Sequence, residues 1–199
     1  MTQSPTDLTS LVGSRICHDL ISPLGAIANG IELLSMSGVA TSPELALISD
    51  SVQSANARIK YFRVAYGAAK SNQQMGRGEI VKILADMSKG GRISYSWEPN
   101  GDSSRSDVRI AFLLMQCLES AMPYGGTIKV ASLHGKWTLT AVSDKFKFDD
   151  ALWDSLEDVN GPHDHIAADV HFALTPHILL AHGKTLERDL TDEALTLRF

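Results

Sequence analysis

Cysteine is nearly missing from this chain. The 199 residues hold two, Cys17 and Cys117. Two isolated thiols suit small core or surface residues in a reducing compartment, and a disulfide scaffold is excluded. Long apolar runs are missing too. None approaches the roughly 18–20 residues that a membrane helix needs, so no membrane partner is expected. The stretch Met1 to Thr9 is polar and lacks the basic-then-apolar order of a signal peptide, which points to the cytoplasm. Clusters of lysine or arginine are absent, and the formal charge is −5. That balance argues against nucleic acid as partner, because a phosphate backbone calls for a basic patch. What the chain does have is an ordinary hydrophobic share, 44%, enough for a core. Its length suits one medium domain or two small ones.

Apolar periodicity divides the chain. From about Thr6 to Met36 the pattern is one long helix, with Thr6 or Asp7 available as its cap. At about 100° of rotation per residue, Leu20, Ile27, Ile31 and Leu34 fall within about 60° of Ile16, and Val12 lies at about −40°. Pro23 sits near the same stripe and should bend the helix. A short connection around Gly38 follows. Ser42-Pro43-Glu44 then reads as the cap, first position and first turn of a second helix. Leu45, Ile48, Val52, Ala55, Ile59, Phe62 and Tyr66 carry its stripe to about Ala69. Two such helices make an antiparallel hairpin, which alone buries too little apolar surface. Pairing two copies into a four-helix bundle solves that, so a homodimer is expected.

The polar, glycine-bearing stretch 71–78 marks a boundary, giving a helical-hairpin domain over 1–74 and a mixed domain over 75–199. The second domain reads as helix 79–88, strand 92–97, loop 99–106, helix 107–122, a hairpin 127–133 and 136–143, a short helix 150–156, helix 170–181 despite Pro176, and a closing hairpin 185–189 and 194–199. Strands with helices collected on one face give an α/β two-layer sandwich, and the whole chain an α+β fold.

His18-Asp19 is the pair with chemistry to offer. A histidine ring nitrogen is nucleophilic at neutral pH, and a phosphohistidine is an energetic donor to an aspartate. Asp19 would orient the imidazole, raise its basicity or move a proton. His18 falls at about 200° from Ile16, on the outward face. Ser14, Ile21, Ser22, Gly25, Asn29 and Glu32 lie within roughly 60° of it. Ser14, Ser22 and Gly25 are small and leave room for a partner, while Ile21 is expected to point at solvent and offer a contact. Ser14, Ile21, Ser22, Gly25 and Asn29 are therefore the expected docking residues.

The run His18-Asp19-Leu20-Ile21-Ser22-Pro23-Leu24 resembles the H-box of bacterial sensor histidine kinases: histidine, acidic residue, Leu or Ile, two variable positions, then Pro-Leu. That family carries the motif on the first helix of a dimerising hairpin. The rest of the chain resembles the family's GHKL-type ATP-binding domain, with its boxes in order but worn. Asparagines that help hold Mg-ATP are replaced in Leu114-Met115-Gln116-Cys117-Leu118-Glu119-Ser120-Ala121 by Gln116 and Ser120. Gly125-Gly126-Thr127-Ile128 follows as that fold expects. The Asp-x-Gly-x-Gly box stands as Asp144-Lys145-Phe146-Lys147-Phe148, both glycines now phenylalanine. The lid region, 168–174, has no glycine. Such a combination resembles the alphaproteobacterial ChpT-type histidine phosphotransferases. The resemblance implies a relay intermediate, with His18 as carrier and Asp19 as its helper. It implies no autokinase activity and no bound cofactor, the Mg²⁺ being supplied by the partner. The implied partners are response-regulator receiver domains, including that of a hybrid histidine kinase. An ATP-dependent histidine autokinase and a non-catalytic dimeric adaptor are the alternatives.

The other histidines, His134, His163, His165, His171, His177 and His182, lack the ligand spacing of a zinc site, so no metal is expected. The acidic residues Asp149, Asp150, Asp154, Glu157 and Asp158 read as a solvated face, and the three tryptophans as core packing.

Overall fold

The computed structural model of the protein describes residues 5–36, 42–69, 72–159, 165–191 and 193–199. The chain forms two compact units, Met1–Ala68 and Ala69–Phe199.

The first unit is a helical hairpin of α1 (Pro5–Met36) and α2 (Pro43–Ala65). α1 starts at Pro5 and runs through Pro23 as one helix. The caps expected at Thr6 or Asp7 lie on side chains outside the described set, as does the connection 37–41. α2 starts as its sequence predicts. The Ser42 Oγ accepts from the Leu45 N–H at 3.2 Å, Pro43 occupies the first turn, and Glu44 adds a negative charge at the positive end of the helix. The hairpin is antiparallel, because the start of α1 meets the end of α2: the Ser14 hydroxyl accepts from the Ala68 N–H at 3.1 Å. Gly13 lies there too, where a side chain would press on Tyr66 at 3.2–3.3 Å.

This contact corrects the helical phase. The side of α1 turned to α2 carries Ser10, Gly13, Ser14 and Cys17, with Ser10 and Cys17 buried. The stripe Val12, Ile16, Leu20, Ile27 and Leu34 is instead left roughly half exposed in the single chain. On α2, Ile48 and Phe62 are exposed in the same way, whereas Ala57, Tyr61, Val64 and Ala65 are buried.

The second unit is a five-stranded sheet with helices on one face. Its strands are β2 (Ile93–Trp97), β4 (Gly126–Leu133), β5 (Lys136–Val142), β6 (Glu187–Leu190) and β7 (Leu195–Arg198), in the order β2-β4-β5-β7-β6. A further pair, β1 (Gln74–Met75) and β3 (Ser103–Ser104), stands apart as a short antiparallel ribbon. The helices are α3 (Arg77–Ser88), α4 (Arg105–Ser120), α5 (Asp150–Asp154) and α6 (Val170–Ala181), the last preceded by a single 3₁₀ turn at Ala167–Asp169. β2 and β4 run parallel, joined by the α4 crossover, and the other neighbours are antiparallel.

Alternation explains the two layers. Ile128 and Val130 of β4, Trp137, Leu139 and Ala141 of β5, and Leu195 and Leu197 of β7 are buried. Their in-between neighbours Thr127, Lys129, Thr138, Thr140 and Thr196 face the other way and are polar. α4 lies on the buried face. It is apolar over most of its circumference, and every residue from Val108 to Met115 is buried. Trp97, Trp137 and Phe199 close one end of this core, with ring centroids 5.4 Å and 5.9 Å apart, and Trp137 exchanges both backbone hydrogen bonds with Phe199.

The expected loop over 99–106 holds β3 and the start of α4, which Ser104 caps by accepting from the Asp107 N–H at 3.1 Å. The stretch read as linker holds β1, so Gln74 already pairs with Ser104 in the second unit.

Gly126 pins the parallel pair. It sits at φ +145°, its N–H donates to the Arg92 carbonyl, and a Cβ there would collide with the Val142 carbonyl oxygen. Gly126→Ala should therefore lower the unfolding free energy by on the order of 2 kcal/mol, measured by urea denaturation at neutral pH.

Candidate functional site

His18 stands in the second half of the first half-helix of α1, where no helix end or loop loosens its backbone. Its side chain is 82% exposed. Its Nδ1 lies 3.2 Å from Oδ1 of Asp19. The other carboxylate oxygen, Oδ2, accepts from Nε of Arg15 at 2.7 Å. The hydrogen bond with His18, with the Arg15 guanidinium behind it, holds the Asp19 carboxyl below its ordinary value. At neutral pH Asp19 is therefore ionised and accepts only, so the hydrogen between the two side chains belongs to Nδ1. The lone pair of the neutral ring is then at Nε2, the atom that such a ring can offer as a nucleophile.

The surroundings differ in part from the expectation. Ser22 and Asn29 are exposed, and Gly25 is half-buried with nothing within 4 Å of where a Cβ would stand, so the approach one and two turns beyond His18 is open. Ser14 is committed elsewhere, because its hydroxyl accepts from the Ala68 N–H just past the end of α2. Ile21 is half-buried, not fully turned to solvent. It lies one turn on from Cys17, on the strip of α1 that also carries Leu24. The pattern missed Arg15. It carried a signal, since an arginine four residues ahead of an aspartate is a standard helix-face ion pair. Cys17, beside His18 in sequence, is buried, and that burial raises its thiol pKa against the opposing pull of Arg63.

The stretches that resemble worn nucleotide boxes lie on α4 and on the loop after β5. Gln116 and Ser120 stand on α4, and the Ser120 hydroxyl donates to the Cys117 carbonyl at 2.7 Å. The loop after β5 is tied to the end of that helix, the Lys147 N–H donating to the Ala121 carbonyl at 2.9 Å. Phe146 and Phe148 stack with centroids 6.0 Å apart. Phe148 meets Trp153 edge-on at 5.4 Å, and Trp153 meets Phe172 of α6 at 5.4 Å. Trp153 and Phe172 are fully buried. A continuous aromatic cluster thus fills the ground between the loop, α5 and α6. Asp144 remains at the surface. The acidic face nearby is partly neutralised, with Arg188 3.6 Å from Asp154 and 3.5 Å from Glu157. An open groove of about 600 Å³ lies beyond it, lined by Leu156, Pro176, Leu179 and Lys184 among others. No group of three or more His, Cys, Asp or Glu among the described residues is placed to hold a metal ion. His163 and Asp164 lie outside those residues. No described helix is long and apolar enough to cross a membrane.

The model of the histidine phosphotransferase C-terminal domain matches residues 77–194. The chain belongs to that histidine phosphotransferase family. A protein phosphotransferase ChpT of Brucella abortus (strain 2308) is 36% identical over 132 residues, covering 65% of this chain. The match spans 63% of that relative's length. A solved bacterial phosphotransferase superposes with a TM-score of 0.70 at 27% identity, covering 100% of this chain and 98% of its own. That similarity extends the fold over both units, an N-terminal helical region followed by a sheet with its helices.

His171 gives the aromatic region a pH dependence. Its ring is buried against Phe172 at 4.8 Å, and among the described residues its Nε2 has no hydrogen-bond partner. Burial pushes its pKa down to about 4, against the opposing charge of Asp169 and with the help of His165. The unfolded chain takes up the proton near pH 6.5 while the folded chain refuses it, so stability is complete above that pH and falls as pH drops toward 4. Between pH 7.5 and 5 the loss should be on the order of 2 kcal/mol, and His171→Phe should flatten it in parallel urea titrations.

Proposed function

We propose that the protein is a phosphorelay intermediate, which takes a phosphoryl group from one receiver-domain aspartate and passes it to another through His18. The observation that carries this reading is an exposed imidazole whose Nδ1 is occupied by Asp19 and whose Nε2 is free to react. A docked receiver presents an aspartyl phosphate to Nε2. Nitrogen attacks phosphorus as the bond to the aspartate oxygen breaks, and the electron pair leaves with the receiver's carboxylate. The Nδ1 proton stays in its bond to Asp19, whose charge stabilises the cationic phosphoimidazole. The reverse displacement, with a second receiver's carboxylate as nucleophile, empties the site. Mg²⁺ belongs to the receiver in this scheme. Ser22, Gly25 and Asn29 form the open docking approach, with receivers as partners, including that of a hybrid kinase; Ser14 and Ile21 support the helix beneath it.

Autophosphorylation is not part of the proposal. Phe146 and Phe148 stand where a nucleotide-binding loop would have glycine, and their rings are built into a cluster with Trp153 and Phe172. An acidic protein without a membrane-crossing helix among its described residues suits a cytoplasmic relay with no nucleic-acid partner.

The test is to mix the protein with a phosphorylated receiver. Wild type should drain the receiver within minutes and His18→Ala should not; no draining by either would leave the adaptor reading, and equal draining would show that His18 is not the carrier. A second expectation concerns assembly. The half-exposed stripe Val12, Ile16, Leu20, Ile27 and Leu34 supports a homodimer in which two hairpins form a four-helix bundle. Sedimentation should give a dimer for wild type and a monomer for Ile27→Glu at micromolar concentration. A variant that remains dimeric would place the interface elsewhere.

A further inference from the structure

We propose that Arg15 is a positioning residue for phosphotransfer, acting on His18 through Asp19 to select the ring tautomer with hydrogen on Nδ1. The inference rests on the relay reading for its purpose, and on two contacts for its substance.

Neighbouring side chains on a helix do not face each other; they leave the axis about 100° apart. Asp19 therefore has no intrinsic reason to turn toward His18. Arg15 supplies one. It lies four residues earlier, on the same strip as Asp19, and its Nε takes Oδ2 at 2.7 Å. With that oxygen held, the carboxylate plane is fixed and Oδ1 is left toward His18 Nδ1 at 3.2 Å. Both contacts exist together in one arrangement. Arg15 has no other hydrogen-bond or ion-pair partner among the described residues, and its side chain is 76% exposed.

An exposed ion pair of this kind does little for folding. What it changes is orientation. Neutral histidine free in water favours the tautomer with hydrogen on Nε2, which has no lone pair at that atom. A fixed acceptor at Nδ1 reverses the preference and keeps the lone pair pointing outward. The same charge also keeps Asp19 an acceptor, so that it retains the Nδ1 hydrogen when the ring becomes cationic.

Two readouts test this. Ring ¹⁵N shifts of His18 report the tautomer ratio without any partner. Single-turnover transfer from a phosphorylated receiver, over a range of receiver concentrations, separates the saturating rate from the half-saturating concentration. In Arg15→Gln the Nδ1–H population should fall toward that of free histidine, and the saturating rate should drop about two- to fivefold with half-saturation unchanged. Arg15→Lys, which keeps the charge but loses the fork, should recover part of both. An unchanged tautomer ratio overturns the inference, whatever the rate does. So does a change confined to half-saturation, which would make Arg15 a docking contact. If the tautomer shifts but wild type itself drains no receiver, the positioning role stands and the relay reading fails.

Discussion

One helix has to serve three surfaces at once, and the organisation of the first unit depends on keeping them apart. α1 turns Ser10, Gly13, Ser14 and Cys17 toward α2, leaves the apolar strip from Val12 to Leu34 uncovered, and holds Arg15, His18, Asp19 and Ser22 on a polar side. A period of 3.6 residues makes this sharing natural, since strips three and four residues apart stay aligned over many turns. The small residues at the first surface let α2 come close. The third surface then has a rigid base, which is what a reacting atom needs if its partner is another protein that must dock in register.

The second unit has its family's fold, with aromatic rings filling the ground beside α5 and α6. The sheet, the α4 crossover and the glycine turn into β4 are all present. The space between the 144–148 loop and α6 is taken by Phe146, Phe148, Trp153 and Phe172. Aromatic rings packed edge to face stabilise such a region without a ligand. His171, buried against Phe172 with an Nε2 that has no partner among the described residues, shows that the packing is not free of cost. A domain filled in this way supports the proposal that His18 receives its phosphoryl group from outside.

Much of this was legible in the residues. The hairpin, the two strand pairs after α4, the capping at Ser42 and the helix across Pro176 follow from periodicity and turn chemistry, and they stand in the structure. The outward placement of His18 followed from rotation alone. Other features depended on contacts that a linear pattern does not carry. Ser14 looked like part of an open face, yet its hydroxyl reaches Ala68, 54 positions away. Ile21 follows the Cys17 strip because the hairpin contact, not the most apolar stripe, sets which side of α1 is covered. β1 and β3 are two residues each and take strand form by pairing with one another, so neither has a local signal. Arg15 was visible as an i, i+4 partner of Asp19, but its importance appears only when Asp19 is seen to share its two oxygens.

In the proposed relay this chain carries a phosphoryl group without generating it. The direct measurement is to expose the protein separately to labelled ATP and to a receiver bearing labelled acyl phosphate, and to follow label on His18 by its acid lability and by peptide mass. A relay site should take label from the receiver and none from ATP, even after prolonged incubation. Label arriving on His18 from ATP, with no receiver present, would contradict it.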